Sequence, residues 1–414
     1  MRWLRLAWRN VFRHRRRTVI TFAAISAGIG YMILMDSFMG GFELYSMRNF
    51  VDQEAGHLKV HADGYRDDEN VMPLDIVIND PAVVMGAIQD KLGYDRMTAR
   101  IVFRGELSDG VDQLPVVGIG IDTATDRRVF DYRGAVTRGR FLADRLDILV
   151  GQNLARDMGI DTGDYVTVVA RTRKESWNAY DFTVAGLLGT SDMFIDMNSV
   201  VMDIGTADAL LQMDGAVTEI PVRLAGMDAA APAKRRFRQV AAEVPELAGL
   251  EAWTWRELGE LIFQITGTKQ AGGFILTFVV IVIAAVGIIN TMLMAVMERT
   301  REIGTMRALG FGFKEVVGLF LWEGALIGVF GSFLGAAMGV AGALFLDFLA
   351  LDVTNLMPGG FQSLLPMRMI MYTDVDPTFV LRAILLGIGV SLLATLIPAR
   401  RAARIQPAEA LRHV

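Results

Sequence analysis

The chain has 414 residues, 52% of them hydrophobic and 21% charged, with a formal net charge of −5. The apolar residues are gathered into long runs, which excludes an ordinary soluble globular protein. Cys is absent and His numbers four, which excludes disulfides, a thiolate metal site and a Cys nucleophile and leaves little for a histidine metal or proton-relay site.

Residues 1–17 form a basic segment with seven Arg and no acidic residue. Residues 18–41 are the first of four runs long enough to cross about 30 Å of hydrocarbon, which takes about 20 residues. The run is longer than a signal-peptide core, and Ser37-Phe38-Met39-Gly40-Gly41 is a poor cleavage site, so an uncleaved anchor is expected. Residues 42–270 make a large α/β domain. Strands are predicted at His57–His61, Leu74–Asn79, Arg100–Leu107, Leu114–Ile121, Asp147–Val150, Tyr165–Ala170, Tyr180–Ala185 and Ser199–Asp203. Helices are predicted at Pro81–Lys91, Gln152–Met158, Thr206–Met213 and Pro232–Val244. His57, Lys59 and His61 share one strand face by period two, and a solvated face is expected; the outer two His would lie about 13 Å apart, too far to share a metal. The stretch 172–179 reads as an exposed hairpin tip. Its Lys174 and Trp177 are candidates for docking a partner, because an exposed Trp beside charges is a common hot-spot composition; a plain hydrophilic turn is the alternative.

The second, third and fourth spans are residues 271–297, 316–349 and 379–397, separated by a loop at 298–315 and another at 350–378 and followed by a tail at 398–414. Around the first segment, the 298–315 loop and the tail, fifteen Lys/Arg stand against four Asp/Glu, whereas 42–270 holds 24 basic and 36 acidic residues. The excess of Lys/Arg beside span ends places both termini and the 298–315 loop in the cytoplasm and the α/β domain outside. The expectation is a multi-pass membrane protein, in contact with lipid and not with nucleic acid. Asp36, Asp347 and Arg382 fall near outer ends and Glu323 near the inner end, so interfacial placement is expected and mid-membrane ion coupling is disfavoured. In the third span Gly331, Gly335 and Gly339 recur every four residues, which suits close helix packing either within the chain or between subunits.

No Gly-x-x-x-x-Gly-Lys-Ser/Thr phosphate loop occurs, so no nucleotide or other cofactor is expected to bind directly, and no catalytic or metal constellation is found. The segment 298–310 is a short charged helix held between two spans. Glu298, Arg301 and Glu302 share a polar face, Ile303, Met306 and Leu309 an apolar one, and Gly304 and Gly310 permit close approach or a stop.

Three blocks resemble the FtsX/MacB-type permeases of ABC transporters. The first is Trp8-Arg9-Asn10-Val11-Phe12-Arg13 with Arg15-Arg16-Arg17-Thr18. The second is Met297-Glu298-Arg299-Thr300-Arg301-Glu302-Ile303-Gly304, then Arg307-Ala308-Leu309-Gly310 and Trp322-Glu323-Gly324. The third is Ile397-Pro398-Ala399-Arg400-Arg401-Ala402-Ala403, then Pro407-Ala408-Glu409-Ala410-Leu411-Arg412. The outer domain is most similar to the lipoprotein-releasing (LolC/LolE-like) permeases, through Gly56-His57-Leu58-Lys59-Val60-His61, Leu149-Val150-Gly151, Leu154-Ala155, Gly163-Asp164 and the stretch from Asp192 to Asp196. The resemblance implies a fold of four transmembrane helices, one plus three, with the α/β extracytoplasmic domain between the first two. It implies a permease subunit, not itself an enzyme, worked by a cytoplasmic ABC ATPase dimer that uses the ATP, beside a second permease subunit that is either the same chain or a paralogue. It makes Glu298, Arg299, Arg301, Glu302, Ile303, Gly304, Met306, Arg307, Leu309 and Gly310 the ATPase-coupling segment. It implies extraction of lipoprotein or lipid cargo, handed to a periplasmic carrier, with Phe38, Met39, Phe42, Leu261, Ile262, Ile265 and Phe274 as candidate cleft residues. MacB-type efflux and FtsX-like signalling to a cell-wall hydrolase are the alternatives.

Overall fold

A computed structural model describes residues 15–190, 192–349 and 372–406; the side chains of 15–17, 193 and 261–276 are outside the description. The block at Trp8, most of the 350–378 loop and the closing Pro407–Arg412 motif therefore lie outside the described residues. The rest divides into a unit made of 15–44, 265–349 and 372–406 and a unit made of 45–264.

In the first unit four helices are long and apolar enough to cross a membrane. They are α1 (Arg15–Phe50), α8 (Glu260–Glu298), α10 (Phe313–Leu349) and α11 (Pro377–Ala403), with the short α9 (Thr300–Ala308) between the second and third. Ile25, Ile29 and Ile33 of α1, Ile288 and Met292 of α8, Ile327 of α10 and Ala383 of α11 form a shared core. Outward faces stay apolar, as at Phe278, Ile283, Phe333 and Leu393, as a lipid solvent requires. The glycine row of α10 packs within the chain. A Cβ on Gly335 would lie 2.7 Å from the Ser26 carbonyl oxygen, and one on Gly339 would lie 2.8 Å from that of Gly30, so α1 is seated directly on α10. On another side of α10, Ser391 of α11 donates to the Gly324 carbonyl at 2.8 Å. In lipid, small residues and interhelical hydrogen bonds of this kind supply much of the association.

The second unit opens with a π-turn at Val51–Ala55 and contains two sheets. The small one has the order β10-β1-β9, all antiparallel, from β1 (Leu58–Ala62), β9 (Ile220–Val222) and β10 (Leu250–Thr254). The large one has the order β4-β7-β5-β8-β3-β2-β6, from β2 (Arg100–Ser108), β3 (Gln113–Ile121), β4 (Val136–Gly139), β5 (Asp147–Gly151), β6 (Tyr165–Arg171), β7 (Trp177–Leu188) and β8 (Ser199–Asp203). The β3–β8 and β5–β7 pairs are parallel. β7 pairs β6 through Trp177–Thr183 and then β5 through its second half, so the sheet closes on itself. Helices α2 (Pro81–Leu92), α3 (Gln152–Met158), α4 (Met193–Asn198), α5 (Ile204–Leu211), α6 (Ala230–Ala241) and α7 (Trp255–Leu258) complete the unit. β5 is buried on both faces, with Ile148 and Val150 in one cluster and Leu149 in another.

Two sequence expectations fail here. Leu74–Asn79 is not a strand; Ile78 alone makes a bridge, to Val217. His57, Lys59 and His61 do share a face of β1, but that face is buried, not solvated. β1 is the central strand, and two of the three find partners inside: Lys59 Nζ meets Glu219 at 2.9 Å, and His61 Nδ1–H donates to the Thr218 carbonyl at 3.0 Å while its ring stacks on Tyr65. Burying polar groups is tolerable only with such partners.

Candidate functional site

The segment 298–310 forms α9, a compact helix set between two spans. Its ends follow from local chemistry. Arg299 breaks α8 from α9 with φ −109° and ψ 16°. At the far end the Phe311 amide donates to Met306 and the Gly310 amide to Arg307, both at 3.1 Å, with Gly310 at φ 94°. This is a Schellman stop, which needs the left-handed conformation glycine allows. The Gly312 amide then donates to Glu315 at 2.8 Å and starts α10.

The helix has two unlike sides. Ile303 and Gly304 are buried, and Ile303 packs with Val296, Val316, Phe320, Ala399, Ala402 and Ala403 from the three neighbouring spans, with Met306 partly buried against them. Arg301, Glu302, Thr305, Ala308 and Leu309 are exposed, Leu309 by 77%. The expected apolar face is therefore divided: Ile303 and Met306 anchor the helix to its own chain, and Leu309 stands out alone. Arg299 is likewise turned inward. It donates from Nη1 to Glu323 Oε1 at 2.9 Å, with the two side chains 7% and 3% exposed, and its Nε lies 3.8 Å from Glu302. Arg307 is half-buried and donates to the Phe311 carbonyl at 3.2 Å. Arg299, Ile303 and Gly304 thus support the exposed ridge and do not form it. The sequence placed Glu323 at an interface; its burial against Arg299 was readable as the one acid in the inner half of an apolar span, beside the Arg-rich loop.

In the outer unit the turn between β6 and β7 carries the predicted tip. Trp177 is 69% exposed, and Lys174 meets Asp214 at 3.6 Å. Trp177 lines an open groove of about 890 Å³ together with Val71, Arg104, Arg173 and Phe194. Phe194 and Arg104 were not picked out from the sequence, because the tip meets them only through the strand order. The candidate cleft residues are divided: Phe38 and Met39 are half-buried and Phe42 buried on α1, while the side chains of Leu261, Ile262, Ile265 and Phe274 lie outside the described residues.

Residues 18–240 match the MacB-like periplasmic core domain, and residues 274–407 match the FtsX-like permease C-terminal domain. The chain is 26% identical to the "Lipoprotein-releasing system transmembrane protein LolC" of Neisseria meningitidis, over 100% of this chain and 98% of that one. It is 27% identical to the protein of the same title from Xylella fastidiosa strain 9a5c, over 100% and 97%. The solved periplasmic region of MacB from Actinobacillus actinomycetemcomitans covers 50% of this chain and 91% of its own at 11% identity, with a TM-score of 0.34, too low to carry weight. The core-domain match spans more than half of the chain and the permease match most of the remainder, and the chain belongs to the FtsX/MacB-type permeases of ABC transporters.

Proposed function

We propose that this permease couples ATP hydrolysis by a cytoplasmic ABC ATPase dimer to the release of lipoprotein or lipid from the outer leaflet of the inner membrane. The carrying observation is full-length similarity to lipoprotein-releasing system proteins, extending through the outer unit as well as the spans. In this reading both termini and α9 are cytoplasmic, as the Arg-rich flanks favour. The ridge of Arg301, Glu302, Thr305, Ala308 and Leu309 is the surface the ATPase grips, and a second permease subunit completes the machine. A helix with one face locked to three spans and the other exposed suits that role, because a push on the ridge is delivered to the bundle. Phe38, Met39 and Phe42 lie on the path by which acyl chains leave the membrane, and the groove beside Trp177 receives the periplasmic carrier.

MacB-type efflux is the second reading, favoured by the core-domain match over 18–240. The test is reconstitution of the chain with its co-purified ATPase in liposomes holding a labelled triacyl lipoprotein. ATP-dependent transfer of the label to a soluble carrier supports lipoprotein release. Hydrolysis without any transfer, at saturating carrier, refutes it.

A further inference from the structure

Arg299 occupies the one non-helical position between α8 and α9, where a bundle would otherwise have a hinge. Its side chain closes that joint from inside. The guanidinium donates to Glu323 of α10 at 2.9 Å and approaches Glu302 of α9 at 3.8 Å, so one residue ties the end of α8, the start of α9 and the inner part of α10. Around it the apolar packing of Ile303, Val296 and Phe320 could slide, since dispersion contacts are not directional. A buried guanidinium–carboxylate pair cannot slide without leaving an uncompensated charge. Such a pair adds little net stability over an apolar replacement, and fixing one arrangement is the role left to it. Arg299 Nη2 has no hydrogen-bond partner among the described residues, which costs the buried pair stability.

We propose that Arg299 and Glu323 are the positioning pair that makes α9 and the inner ends of α8 and α10 a single lever, so that displacement of α9 moves the second and third spans instead of being absorbed at the joint. This rests on α9 being the ATPase contact.

The experiment uses the full chain with its ATPase in lipid nanodiscs. The protein has no Cys, so Thr300→Cys, on α9 but outside the exposed ridge, and Phe333→Cys place spin labels on α9 and α10 with no background from this chain. In the lever the distance between them is the same, and narrowly distributed, in nucleotide-free and ATP-trapped states. Glu323→Gln takes from Arg299 its buried carboxylate and can by itself unfold the bundle. The decisive variant is therefore Arg299→Met with Glu323→Leu, which removes both charges and keeps the volume. It is expected to fold with unchanged thermal stability and to bind the ATPase within about twofold of the parent, yet to show a distance that differs between the two states and about tenfold weaker cargo stimulation of hydrolysis. A purely structural pair would not separate stability from coupling in this way. A double variant that keeps one distance in both states and full stimulation overturns the proposal while leaving the ATPase contact intact. Failure of the parent chain to bind any ATPase overturns the contact and the lever together.

Discussion

Replacing Lys59 by Met tests how the outer unit is held together. Lys59 and Glu219 meet at 2.9 Å with their side chains 9% and 5% exposed, on the central strand of the small sheet. Burial pushes the Glu219 carboxyl up, but the charge of Lys59, with His61 and Arg100, outweighs burial and holds it below its ordinary value. Without Lys59, Glu219 is left in a small cavity that Glu54 and Glu69 also line, and it relieves the buried charge by taking up a proton. Protonating a carboxyl of ordinary value near 4.3 at pH 7 costs about 4 kcal/mol, and at pH 5 about 1 kcal/mol. The pH 7 figure agrees with the range of about 3–5 kcal/mol for breaking a buried pair. Thermal unfolding of the chain in detergent is followed by tryptophan fluorescence, with Trp253 opposite Lys59 in the β1–β10 register. The Lys59→Met midpoint should fall by about 10 °C at pH 7 and by about 3 °C at pH 5. Adding Glu219→Leu should restore most of the loss. A penalty below about 1 kcal/mol at pH 7, or one that does not change with pH, would refute the reasoning.

Three further outcomes are expected. Burial holds His61 at about 4, well below an ordinary imidazole, so the folded state is favoured above about 6.5 and loses up to about 3 kcal/mol as pH falls toward 4; His61→Phe should flatten that slope in an unfolding titration. Gly335→Val drives a side chain against the Ser26 carbonyl, so the span bundle should lose about 1–3 kcal/mol in a detergent-unfolding assay while the outer unit's own transition is unmoved. Trp177→Ala should leave the unfolding midpoint unchanged yet weaken carrier capture tenfold or more, read by cross-linking at the groove; unchanged capture would remove the tip from the docking surface.

The sequence carried the spans well, because a run of apolar residues bounded by Arg has few alternative readings. Strands with strict alternation were equally legible: Val166, Val168 and Ala170 point inward from β6 as the pattern requires. The short strands β4 and β9 escaped notice, having too few residues to show a period, and β10 escaped it too, its five residues carrying only a weak apolar alternation. Lys59 and His61 misled for a different reason. Alternation says which residues share a face, but whether that face meets water depends on Glu219 and Thr218, about 160 residues away. The coupling segment was legible as charged and helical, yet its inward half was not. Arg299 and Ile303 carry the same sequence signature as Arg301 and Leu309, and only the placement of Glu323 and Phe320 decides which ones face the bundle.

The most direct test of the account is co-purification of the chain from a gentle detergent, beside Arg301→Glu, Thr305→Arg and Leu309→Asp variants, which alter exposed ridge residues. The account predicts that the parent chain retains an ABC ATPase and that each variant loses it at an unchanged unfolding midpoint. A parent chain that retains no ATPase, or ridge variants that retain it fully, would contradict the assignment of α9 as the point where the ATPase takes hold.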